Sequence, residues 1–173
     1  MEDRWAALKE RLATLTENVY PVWRERWLPV VILTAALVAV NGVARFIVWQ
    51  AEVADDDNQI LIGLLATIVA ALLCVPAGAR WAYRHRMSRV IADIGLAVVV
   101  AALLVVLVGP YFGGSTPLAE GFGFAVRQFF FYGGVMVFGA ALGGLSIVTL
   151  GKDWKSRGWK RREDQIRRKP KRV

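Results

Sequence analysis

The sequence is poor in the residues that most often carry chemistry. It has one cysteine, Cys74, and one histidine, His85. A single thiol excludes a disulfide within the chain, and in an apolar stretch it reads as an inert packed side chain. A lone imidazole gives no His-based relay or metal site without further ligands, and none with suitable spacing stands near it, so neither metal nor cofactor is expected. No nucleophile beside a base and no carboxylate pair is placed for catalysis, so the chain is not expected to be an enzyme. A polar stripe at helical period is also missing: Leu96 to Val108 has none, whereas a helix packed in a water-soluble protein would. The first 28 residues are charged throughout, and no signal peptide is expected in them.

What the chain does have is four long apolar runs, near residues 29–50, 60–79, 90–108 and 127–150. Each is close to the roughly 20 residues needed to cross about 30 Å of hydrocarbon. Apolar residues make up 56% of the chain and glycine occurs 16 times, as expected where lipid is the solvent and helices must approach closely. The predicted fold is therefore an all-α integral membrane protein with four transmembrane helices forming one bundle over 29–150. A cytoplasmic amphipathic helix is expected within 1–28 and a cytoplasmic polybasic tail over 151–173. Little chain remains for a soluble domain.

Charge predicts the orientation, because cytoplasmic flanks retain Lys and Arg during insertion. Of the 22 basic residues, five lie before the first run, four between the second and third, and eleven in the tail from Lys152. Only Arg45 and Arg127 fall on the other side. Both termini are expected in the cytoplasm. The tail sets eleven basic residues against Asp153, Glu163 and Asp164, a net of +8, which equals the charge of the whole chain. The basic character thus belongs to one short segment and is not a general nucleic-acid footprint.

Around the runs, Trp5, Leu8, Leu12, Leu15 and Val19 repeat at helical spacing, and Pro21 ends the stripe. The stripe reads as a helix lying at the membrane surface, though acids and bases balance on its polar face, which also suits docking on a protein partner. Trp23, Trp27, Trp49, Trp81 and Tyr83 fall near run ends, where amphipathic rings prefer the headgroup level. Gly109 to Ala125 reads as an outer loop resting on the bilayer or a partner.

Within the runs, Gly139 and Gly143 form a GxxxG pair with Gly144 beside it, which lets another helix pack at close range, inside the bundle or onto a larger assembly. Four polar residues stand where they cost energy: Asn41, Arg45, Asp93 and Arg127. Arg89 precedes Asp93 by four residues and is its expected ion-pair partner. At about 1.5 Å per residue, Arg45 and Asp93 lie roughly 18 Å apart in depth, too far to pair with each other. Thr34, Asn41 and Arg45 share one face, and with Arg127 and Gln128 at the same depth they would form an electropositive patch facing protein or an anionic headgroup. Arg80, Arg84, Arg86, Arg89, Lys160, Arg161 and Arg162 are expected to face anionic lipid at the inner surface. With Trp154 and Trp159 as platforms the tail could instead hold RNA, but no RNA-binding motif accompanies it, and nucleic acid is the disfavoured partner.

The small multidrug transporters, also four helices, need an acid within the first helix; here that helix has Arg45 and no acid. The expectation is a non-enzymatic accessory or scaffold subunit of a prokaryotic plasma-membrane complex, packing through its Gly-rich fourth helix and associating with other membrane subunits or itself. The alternative is a small oligomeric channel or transporter using Arg45, Asn41, Asp93 and Arg127.

Overall fold

A computed structural model describes residues 23–51, 56–116, 118, 119 and 121–168. The stripe expected at residues 2–20 lies outside them. The described residues are all-helical, with no strand. A π-helical turn, Trp23–Trp27, leads into α1, Leu28–Gln50, where Pro29 sits in the first turn, the one place a helix tolerates a missing N–H. Next come α2, Asp56–Arg84, and α3, Met87–Leu107, joined through His85 and Arg86. A 3-10 segment, Gly109–Gly113, precedes α4, Phe122–Thr149, and the tail forms α5, Trp154–Arg168. Four helices are long and apolar enough to cross a membrane.

Two helices start well before their apolar runs, and one of them also ends beyond its run. Expected at 60–79, α2 extends to Asp56 and Arg84, and at 29 residues it is about 43 Å long. Hydropathy marks only the hydrocarbon-compatible part of a helix, whereas backbone hydrogen bonding continues through Asp57, Asn58 and Gln59 and through the last arginines. Expected from 127, α4 starts at Phe122 and takes residues that read as loop. Burial of Ala125 outweighs the low helix propensity of Gly123.

The four long helices stand in a ring. α1 neighbours α2 and α3, α4 neighbours the same two, and α1 and α4 face each other across the diagonal. The pairing of α2 with α4 is the most extensive. A Cβ at Gly139 would overlap the Ala71 carbonyl, one at Gly143 the Val75 carbonyl, and one at Gly78 the Ala140 carbonyl. Backbone therefore meets backbone along this seam, in the way small residues permit. The GxxxG face is thus committed within the chain. α3 is the most deeply set helix, with half of its apolar window buried, because Ala97, Ala101 and Ala102 let its neighbours close in.

Leu37, Val98, Val105, Cys74 and Met136 are fully buried at the centre. Ile60, Leu72, Ile91, Phe130 and Phe138 point outward, each more than half exposed. The segment after α3 is drawn onto the bundle at its start. Gly109 and Pro110 are buried, and the 3-10 turn packs on α1, with Phe112 against Gly42 and Trp49 close to Gly114. Gly114 adopts φ 69°, a left-handed conformation that glycine takes without strain.

Candidate functional site

Polar side chains gather at the two ends of the bundle. At the end holding the α2–α3 turn, Asp93 is buried, and its two carboxylate oxygens accept separate hydrogen bonds, from Arg26 Nε at 3.4 Å and Arg89 Nε at 3.2 Å. The Arg89 contact follows from i,i+4 spacing. Arg26 is 67 residues away in sequence and arrives from the π-helical turn, so nothing local announces it. The triad ties the entry of α1 to the first turns of α3, and Asp93 is thereby closed off as a free carboxylate. Burial, followed by the positive charge of Arg89, pushes the neighbouring His85 imidazole below its usual range.

The tail helix docks at this same end. Arg157 lies over the Tyr83 ring, 3.9 Å from its centroid, and Arg86 over Trp154 at 4.8 Å. Asp153 Oδ2 accepts from the backbone N–H of Lys155 and Ser156 and so caps α5. The Ser156 side chain, with these amides, holds the Asp153 carboxyl below its usual range. The cap is complete above the ordinary carboxylate range and is lost as pH falls through the depressed value. Trp154 thus carries Arg86 over its ring while staying partly exposed. Arg80, Arg84, Arg86, Lys160, Arg161 and Arg162 are exposed, and Arg86, Arg89 and Arg162 have partners within the chain. Replacing Tyr83 and Trp154 together by Ala should release α5. Two cation–π contacts of about 0.5–1 kcal/mol each correspond to roughly tenfold faster trypsin cleavage within 154–168 in detergent. Unchanged cleavage would refute the docking.

At the opposite end a cavity of about 530 Å³ opens among α1, α2, α4 and the segment around Gly109–Gly121. Its walls include Ile60, Val106 and Phe124, and its polar groups include Asn41, Arg45, Thr116, Gln128 and Tyr132. Arg45 Nε donates to Asn41 Oδ1 at 3.0 Å, and Asn41 Nδ2 donates to the Tyr132 hydroxyl oxygen at 3.1 Å. Because a guanidinium only donates, the Asn41 amide has one possible orientation: its oxygen faces Arg45. Asn41 and Tyr132 are both buried, and this relay is the polar link across the α1–α4 diagonal.

The four polar residues singled out in and beside the apolar runs are therefore not one group. Asn41 and Arg45 share the cavity, Asp93 is locked at the other end, and Arg127 is exposed and outside the cavity lining. One helical turn from Asn41 and Tyr132, Leu37 and Met136 belong to the buried apolar core, which also holds Val98. Gln128 lines the cavity with Asn41 and Arg45, and Arg127 does not. Tyr132 was missed by sequence reasoning. Its signal is a hydroxyl ten residues into an apolar helix, far from the ends where tyrosine is usual, which demands a buried partner.

No protein-family model, curated protein or solved structure matches the chain.

Proposed function

We propose that this chain is a non-enzymatic accessory subunit of a prokaryotic plasma-membrane complex, crossing the bilayer four times with both termini in the cytoplasm. The observation that carries the topology is that the basic residues meet at one end. Arg26, Arg89, Arg86 and Arg157 are drawn together there by Asp93, Trp154 and Tyr83. Retention of that end in the cytoplasm by its Lys and Arg follows from the charge rule. The outward apolar belt supports lipid as the surrounding solvent, since a water-soluble monomer rarely exposes a contiguous apolar patch above a few hundred Å².

An accessory role is favoured by how the polar groups are used. Asp93 is neutralised and the GxxxG face is filled by α2, so what the chain offers a partner is its outer surface and its cytoplasmic extensions. The Leu8 and Leu12 stripe, outside the described residues, is the segment we assign to docking. A channel through one chain is opposed by the buried apolar core that includes Leu37, Val98 and Met136.

Two measurements test the reading. Alkaline phosphatase fused at either terminus should be inactive and a cytoplasmic fluorescent reporter bright; activity of the phosphatase would reverse the topology. Purified in mild detergent from native membranes, the protein should carry larger membrane partners in fixed proportion. Leu8→Glu with Leu12→Glu should remove them without altering bundle stability, and a partner-free wild-type chain that moves a solute in liposomes would replace this reading with the transporter one.

A further inference from the structure

We infer that the cavity at the Arg45 end binds an anionic phosphate ester, held by the Arg45 guanidinium. Three observations converge on this ligand. First, Arg45 is fixed, and no described residue neutralises it. Its Nε is occupied by Asn41, itself anchored by Tyr132, while among the described residues Nη1 and Nη2 have no acceptor. A half-buried guanidinium aimed by a buried relay is organised before any ligand arrives, and its free edge is the one that receives oxyanions.

Second, the rest of the lining supplies donors and no described acid. The Thr116 hydroxyl, the Gln128 amide and the Tyr132 O–H can all donate, and the Ser115 hydroxyl is already donating to the Pro110 carbonyl. Arg45 with three further donors suits a phosphate, which presents more acceptor oxygens than a carboxylate. Third, Gly121, Phe124 and Ala125 place the first turn of α4 on the cavity wall, and that helix starts without a side-chain cap. Its unpaired amides add positive potential to that of Arg45. The volume, about 530 Å³, fits a small organic ligand and exceeds what a lone inorganic ion would fill. The Ile60, Val106 and Phe124 walls suit the carbon skeleton of such a ligand.

The same chemistry is offered by a phospholipid headgroup and by a soluble phosphate ester, and the experiment separates them. The full-length protein is delipidated in neutral detergent and given phosphatidylglycerol or phosphatidylcholine, and retained lipid is counted by native mass spectrometry. In parallel, glycerol phosphate is titrated calorimetrically into protein held in phosphatidylcholine nanodiscs. We expect one tightly retained phosphatidylglycerol, or saturable glycerol phosphate binding, in the wild type. Arg45→Gln should weaken whichever is seen by roughly tenfold or more, the loss expected for a charge-assisted contact. Arg127→Gln, outside the cavity, and the triple variant Lys160→Gln, Arg161→Gln and Arg162→Gln, at the other end, should leave it intact. Retention only of lipid assigns a headgroup site, and binding of glycerol phosphate assigns a soluble ester. Binding of neither by the wild type, or equal binding by Arg45→Gln, overturns the inference. Unfolding temperature in phosphatidylcholine checks that Arg45→Gln is folded; should it not be, Thr116→Val with Gln128→Leu, which leaves the relay in place, must weaken binding instead. The test reads the same for either membrane orientation and needs no partner, so it stands apart from the accessory role.

Discussion

Gly143→Ala should destabilise the bundle by about 3 kcal/mol or more, the upper range for overpacking a tight site. The added carbon would overlap the Val75 carbonyl oxygen and come within 2.8 Å of the Val75 carbonyl carbon and 3.0 Å of the Ala79 nitrogen. None of these is a side chain that can swing aside. α2 and α4 would have to separate along a seam where Gly139 and Gly78 make equally close backbone approaches. Gly134→Ala is the control, since nothing lies within 4 Å of its Cβ position. Unfolding in mixed detergent micelles reads the difference. Matching midpoints for the two variants would show that α2 and α4 do not meet as described. A second readout separates folding from association: because the GxxxG face is internal, Gly143→Ala should lower stability without first changing the oligomeric state. Dissociation of an assembly at unchanged chain stability would instead place that face between chains.

Removing both arginines from Asp93 should be nearly as damaging. In Arg26→Leu with Arg89→Leu, the carboxylate, whose side chain is 4% exposed, loses both donors and stays buried. Stranding a charge in this way costs about 3 to 5 kcal/mol. Either arginine alone should cost far less, about 1 kcal/mol, because each is partly solvated and the other still serves the carboxylate. The double variant should therefore exceed the sum of the singles. Adding Asp93→Leu should recover most of the loss, since replacing a buried ion group with apolar residues of similar size is often neutral. Additive single effects, or no recovery in the triple variant, would mean that Asp93 is solvated and the triad is not closed.

The sequence foretold these features unequally. Asp93 with Arg89 was legible because four residues make one helical turn. Close packing at Gly139 and Gly143 was legible as a capacity, since a bare backbone patch invites a helix, but its recipient was not. The second helix carries its complement, Ala71, Val75 and Gly78, without a motif prominent enough to single out. The boundaries of α2 and α4 were under-read because hydropathy follows side chains and a helix is held by its backbone. The tail gave composition alone, and its helix depends on the Asp153 cap and on two aromatic contacts with the α2–α3 turn.

What the sequence determined by itself is the class of molecule: four helices of membrane-crossing length and a strong imbalance of charge between the two ends. Hydrophobicity accumulates residue by residue along a run, so it can be read without knowing what the run touches. The tertiary structure decided which helix fills the glycine face, how Arg26 reaches Asp93 across 67 positions, and how Asn41 meets Tyr132 across 91. Those contacts depend on the order of helices around the ring and on the rotation of each about its axis. Both are fixed by packing among all four helices at once, and no single stretch of the chain contains them.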